Sequence, residues 1–192
     1  IGIGTVAITS HSYPERLRAA EDAPLAFFFK GDCSLLHAPY TAAVIGTRHP
    51  TATAKESCRR ITRTLVESNI SIVSGLALGC DTIAHSECLN AGGKTIAILP
   101  CGLDDIYPSS NRDLAEAILT NGGCLLSEYP TGTKVRRELL VQRNRIQSGL
   151  SNAVVVIETS KKGGTMSTAK FCRKHNRILA VIDFRDFGRG LA

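Results

Sequence analysis

Three short stretches of the chain carry the residue types best suited to holding an anion. They are Gly46-Thr47-Arg48, Ser74-Gly75-Leu76-Ala77-Leu78-Gly79, and Gly163-Gly164-Thr165-Met166-Ser167-Thr168, the last preceded by Lys161-Lys162. Glycine lets a backbone approach a phosphate closely, and Thr and Ser hydroxyls add donors. Any one of these stretches reads equally well as a tight strand-to-helix turn. Three of them on one sheet edge favour an anion site.

Charge is distributed in the same sense. The net charge is +6, a weak pointer to nucleic acid by itself. Lys134, Arg136, Arg137, Arg143 and Arg145 crowd one segment against the single acid Glu138. Lys161, Lys162, Lys170, Arg173 and Lys174 form a second basic group.

Sharper motifs fail. Gly2-Ile3-Gly4 opens like a dinucleotide fingerprint, but Ala7 stands where it needs its last glycine. Gly93-Lys94-Thr95 looks like the end of a phosphate-binding P-loop. Cys88 occupies the position of its first glycine, and the stretch precedes a strand, so no Walker-type ATP site is expected. His85 and Cys88 have ligand spacing on one helix, but no second pair completes a metal site, and a satisfied core role is expected. Asp104-Asp105 reads as solvated loop residues. No nucleophile–base pair stands out; neither a metal nor a cofactor is expected.

The elements that must position these turns alternate. Strands are predicted at Ala42–Ile45, Ile70–Val73, Thr95–Leu99, Cys124–Leu126, Ala153–Ile157 and Ile178–Ile182. Helices are predicted between them. Thr53 with Glu56 forms a capping box, and Cys58, Ile61 and Leu65 share one face. Asp81 is placed as the cap of a helix running to Asn90, ended by Gly92, and Asn111 caps another whose Leu114, Ile118 and Leu119 face inward. A last helix runs from about Thr165 to His175. Apolar rather than alternating strands indicate a mostly parallel sheet covered on both faces, a Rossmann-like three-layer α/β/α sandwich. Residues 1–40 read differently, as strand, short helix and strand forming an extension packed on the core of residues 41–192. We expect one globular unit.

Bulk composition sets limits. Hydrophobic residues make up 43% and charged residues 21% of 192, ordinary for a globular protein. No apolar run approaches the roughly 20 residues of a membrane span, and no secretory leader is visible. The odd count of seven cysteines, mostly within apolar runs, reads as buried free thiols in a reducing cytoplasm.

The turns, in this order and context, closely resemble the DprA/Smf family of DNA-processing proteins. The resemblance rests on Val44-Ile45-Gly46-Thr47-Arg48, Ser74 through His85, Gly93 through Leu99, Cys101-Gly102-Leu103-Asp104 to Tyr107-Pro108, and Asn111. It continues through Leu126-Ser127-Glu128-Tyr129-Pro130, Arg143-Asn144-Arg145-Ile146, Gly149-Leu150-Ser151 and Gly164 through Ala169, with Tyr13 to Leu17 ahead of the core. It spans about residues 6 to 182. It implies an extended Rossmann fold, a homodimer, and binding of single-stranded DNA without sequence preference. It further implies a non-catalytic role in natural transformation, with loading of the RecA recombinase. Carried over by motif, Gly46, Thr47 and Arg48, Ser74, Gly75 and Leu76, and Lys162 through Ser167 face the phosphates, while Arg143, Asn144 and Arg145 extend the track. The chain departs from the pattern in three places. Glu138 to Gln142 replaces a usual Phe-Pro pair, Leu78 stands where an arginine is common, and no Pro-Gly follows Val181-Ile182. The resemblance does not extend to a C-terminal winged-helix domain.

Two rival readings share the fold. A phosphoribohydrolase of the LOG type carries a Pro-Gly-Gly-x-Gly-Thr turn with a nearby catalytic Glu; Lys162-Gly163-Gly164-Thr165 lacks the proline, and Lys170-Phe171 stand where the acid belongs. A nucleotide-binding sensor asks the same turns for the same groups, but has no use for arginines beyond the pocket.

Overall fold

The computed structural model describes residues 2–160 and 164–184. Its strands are β1 (Gly4–Ala7), β2 (Ala26–Gly31), β3 (Thr41–Ile45), β4 (Ser71–Ser74), β5 (Thr95–Leu99), β6 (Cys124–Ser127), β7 (Ala153–Val156) and β8 (Ile178–Val181). Its helices are α1 (Glu15–Arg18), α2 (Ala52–Glu67), α3 (Cys80–Asn90), α4 (Arg112–Thr120), α5 (Arg137–Gln142), α6 (Asn144–Gly149) and α7 (Thr165–Lys174). The strands form one sheet in the order β1-β2-β6-β5-β4-β3-β7-β8. From β6 to β8 all neighbours are parallel, whereas β1 and β2 run antiparallel onto the β6 edge.

The apolar strands divide their residues between two helical layers because successive side chains point to opposite faces. Ala43, Ile45, Val73, Val154 and Val156 pack with Leu17 of α1, Ile146 of α6 and Cys172 of α7. Val44, Ile72 and Val155 turn the other way, onto Ala54 and Cys58 of α2 and Ala84 and Cys88 of α3. Ala97, Leu99 and Leu125 extend that second layer against Ala115 and Ile118 of α4. The three-layer α/β/α sandwich is therefore present. All seven cysteines are free and six are buried; burial pushes the Cys88 and Cys124 thiols up to about 12.

The N-terminal forty residues do more than lie on the sheet. β1 and β2 lengthen it by two strands, and Tyr13, Leu17, Leu35 and Leu36 enter the same core as Ile146 and Cys172. Tyr13 is fully buried, with its hydroxyl donating to Pro24 O at 2.7 Å.

Helix starts differ from the sequence expectations. Thr51, not Thr53, caps α2: its backbone is extended and its Oγ accepts from Ala54 N at 3.2 Å. The reciprocal acid comes from a distant strand end. Glu158 accepts from Thr51 N at 2.8 Å and from its hydroxyl at 3.1 Å, the work a capping box assigns to a residue three positions on. Asp81 does not cap α3 either. Gly79, at φ +81°, holds that position, and Asp81 lies in the first turn accepting from Gly75 N at 3.1 Å. Asn111 occupies the cap position of α4, but its amide donates to Leu76 O and Thr82 Oγ. Short polar side chains bond whichever backbone group approaches them, so spacing alone leaves the partner open.

Candidate nucleic-acid interface

Chain direction across the sheet reverses at β3. The segments after it step outward through β4, β5 and β6, and then β7 lands on its other side. In open parallel sheets, a crevice forms beyond the carboxyl ends of the two strands flanking such a reversal. A cleft of about 730 Å³ opens at that point. Gly46, Thr47 and Arg48 line it from the end of β3, and Thr159 and Ser160 from beyond β7. Gly164 through Thr168 and Lys170 close one side, with Arg137, Leu140, Val141 and Asn144 on the other.

The first turn is held rigidly. Thr47 N donates to Glu158 O at 2.7 Å, and Thr47 O accepts from Cys80 N at 3.1 Å. Gly46 is a glycine for a packing reason: a β-carbon there would stand 2.4 Å from Cys80 Sγ. The Arg48 side chain is exposed, lines the cleft, and has no hydrogen-bond or ion-pair partner among the described residues.

The second turn, expected to meet phosphate, lies beneath the cleft. Ser74, Gly75 and Leu76 are buried. Ser74 Oγ donates to Val44 O, Gly75 N to Asp81, and Leu76 N to His85 Nε2 at 3.3 Å. A β-carbon on Gly75 would fall 1.5 Å from Arg143 Nη1. The glycine thus makes room for an arginine of this chain rather than for a ligand. Burial, with Arg143 adding to it, holds the His85 imidazole down to about 3. It is therefore neutral, with Nδ1 donating to Thr95 Oγ at 2.8 Å, which leaves Nε2 to accept from Leu76.

Arg143 and Arg145, expected to extend the phosphate track, are both engaged within the chain. Arg143 is 5% exposed and donates to Ile98 O at 2.9 Å, with Asp81 at 3.8 Å. In the amide orientation that satisfies its neighbours, Gln147 accepts from Arg143 Nη1 at 2.8 Å and from Gly75 N at 2.9 Å, and donates to Asn144 Oδ1. Burial pushes the Asp81 carboxyl above its ordinary range, while the Arg143 guanidinium and the Gly75 N–H pull it back. Burial lowers Arg143 too, against the support of Asp81. Arg145 pairs with Glu128 at 2.6 Å and is mostly covered. Arg143 thus forms part of the cleft floor with its guanidinium engaged inside the chain, and Arg145 is not among the lining residues.

The third turn is open. A β-carbon on Gly164 would meet nothing within 4 Å, and Met166 is 37% exposed. Thr165 and Met166, which open α7, line the cleft, so the positive end of the helix dipole lies on that side, while Ser167 N donates to Gly164 O at 3.0 Å. Ser167 Oγ donates to Gly164 O at 2.6 Å and accepts from Asn144 Nδ2 at 2.7 Å. Asn144 therefore links the turn to Gln147 and the Arg143 floor. Lys162 and Gly163, like Lys161, lie outside the described residues.

Two further cations, which the sequence did not mark for the site, stand open where Arg143 and Arg145 do not. Arg137 and Lys170 line the cleft, exposed and without an ion-pair partner among the described residues. Their membership in the two basic segments was a signal, but one shared with the arginines that fold inward. Gln147 and Asp81 were missed; Gln147 falls four positions after Arg143, the spacing of one helix face. Among the described residues no cluster of His, Cys, Asp or Glu could hold a metal ion, and no helix is long and apolar enough to cross a membrane.

Fold and cleft together define a doubly wound α/β domain with a cationic crevice at its switch point. The chain belongs to the family described as DNA recombination-mediator protein A, whose model it matches over residues 4–187. It is 49% identical over 134 residues to Protein Smf of Synechocystis sp., covering 70% of this chain and 33% of that one. DNA processing protein A of Streptococcus pneumoniae superposes with a TM-score of 0.88 at 34% identity, over 96% of this chain and 65% of the other. DNA processing protein A of Helicobacter pylori gives a TM-score of 0.87 at 34% identity, over 96% and 82%. The chain spans between 33% and 61% of the length of the curated relatives it matches.

Proposed function

We propose that the chain binds single-stranded DNA through its phosphates, without sequence preference and without catalysis. The observation that carries this reading is the convergence of Arg48, Arg137 and Lys170, exposed and unpaired among the described residues, on one cleft at the β3/β7 switch point. Cations and backbone amides bind phosphates whatever the base, and release of counterions supplies affinity. The related H. pylori protein is described for its single-stranded DNA binding mode, and relatives from Bacillus subtilis and S. pneumoniae are called DNA processing proteins. In that setting we infer a role in DNA-mediated transformation and recombination in the cytoplasm, with the chain acting as a homodimer that assists RecA loading.

A hydrolytic reading finds less support. The carboxylate lining the cleft, Asp81, is buried against Arg143, and the Glu158 carboxylate is engaged by Thr51. The test is titration of a fluorescent oligo-dT, single- and double-stranded, across salt concentrations. If roughly three phosphates are neutralised, log affinity falls with log salt at a slope near about −2. Tighter binding of the single strand, weakened in Arg48→Ala, is expected. No binding at low salt overturns the reading, and mononucleotides would then be screened by thermal shift.

A further inference from the structure

A second cleft, of about 470 Å³, lies beside the first and shares Arg48 as its wall. Its remaining lining is His49, Pro50, Lys55, Leu78, Gly79, Thr82 and Ile83. Two features set it apart from an ordinary surface dent. Leu78 is a large apolar side chain left 44% exposed, flanked by Pro50 and Ile83. Lys55, in the first turn of α2, is exposed, has no partner among the described residues and, unlike Arg59, Arg60 and Arg63 of the same helix, lines this cleft.

The frame around the cleft is stiff. Thr51 is pinned by Glu158, and the Gly79 turn closes on Thr47 O through the Cys80 N–H. A β-carbon on Gly79 would stand 2.4 Å from Thr47 O, so the two loops are pressed together. Cations therefore sit around an apolar patch, in direct continuation of the anion cleft. A nucleotide presents that pattern in reverse: a charged phosphate beside a flat, largely apolar base face.

We propose that this second cleft holds the nucleotide next to the one in the first cleft, with Lys55 on its phosphate and its base lying against Leu78. The assignment rests on the reading of the chain as a single-strand binder and gives the strand a direction, across Arg48 and toward the N-terminal end of α2. Contact through a base face is sequence-tolerant, because every base has one.

The chain contains no tryptophan, which allows a clean probe. In Leu78→Trp the single indole reports on the second cleft; in Leu25→Trp, at a position 78% exposed ahead of β2 and on the far part of the sheet, it serves as control. Oligo-dT is expected to quench the first saturably and leave the second unchanged. Lys55→Ala, an exposed change, is expected to keep the thermal midpoint and reduce the salt slope of oligo-dT binding by about 0.7, the loss of one phosphate contact. If the wild-type protein binds oligo-dT with the expected slope, but Leu78→Trp is not quenched and Lys55→Ala keeps the full slope, the second cleft is off the path and only this proposal falls. If the wild-type protein fails to bind at low salt, the single-strand reading falls and takes the second cleft with it.

Discussion

The Arg143 guanidinium occupies the space that a β-carbon on Gly75 would need, 1.5 Å from Nη1. The two residues are far apart in sequence and belong to the turn after β4 and the junction of α5 with α6. Their contact explains both at once: the turn has to be glycine, and the arginine has to point inward. Gly75→Ala is expected to lower stability by about 1–3 kcal/mol, the usual cost of forcing extra volume into a packed interior. Urea denaturation of the variant beside wild type measures it; an unchanged midpoint would mean that Arg143 leaves the floor without cost.

Arg143→Ala and Arg48→Ala are expected to behave oppositely. The first leaves Asp81 buried without its guanidinium, a loss of about 3–5 kcal/mol, and will read as a folding defect. The second removes an exposed, unpaired side chain, so stability stays within about 0.5 kcal/mol while the salt slope for oligo-dT shrinks by about 0.7. Melting curves and salt titrations of both variants separate bracing from binding.

The cap of α2 offers a discriminating pair. Thr51→Ala removes the acceptor for Ala54 N and a donor to Glu158, and is expected to destabilise by about 1 kcal/mol. Thr53→Ala, exposed in the first turn, should change stability by less than about 0.5 kcal/mol. A larger effect at Thr53 would restore the capping box read from spacing.

His85 gives the fold an acid sensitivity. Its imidazole is held to about 3 in the folded chain and titrates near about 6.5 when unfolded. The unfolded state therefore binds the extra proton first, and stability falls as pH drops through the interval between these values, by up to about 1.4 kcal/mol per pH unit. Asp81, pushed upward by burial, works in the opposite sense in acid. The informative quantity is thus wild type minus His85→Gln, which keeps an acceptor for the Leu76 N–H but does not titrate. That difference should shrink as pH is lowered from 6.5 toward 3 if His85 is the source.

Much of this molecule is legible in one dimension. The apolar runs at Thr41–Ile45, Thr95–Leu99 and Ala153–Val156 are strands because β-branched and small apolar residues there are covered on both faces. Gly46 and Gly164 stand at the ends of strands or starts of helices, as the turn pattern requires, and Arg48 faces the cleft. The contribution of β1 and β2 to the sheet edge was less legible, since a short apolar run does not announce which strand it will join.

By itself, then, the sequence determined the succession of strands and helices, the place of the turns and the family to which the chain belongs, because these follow from local periodicity and short motifs. Tertiary structure alone decided which cations are free. Arg143 and Arg145 sit in the same basic segment as Arg137, yet Asp81 and Glu128 reach them from the first turn of α3 and the end of β6, while no acid among the described residues pairs with Arg137. A charge is neutralised by whatever approaches it within a few ångströms, and that approach is set by the packing of distant segments.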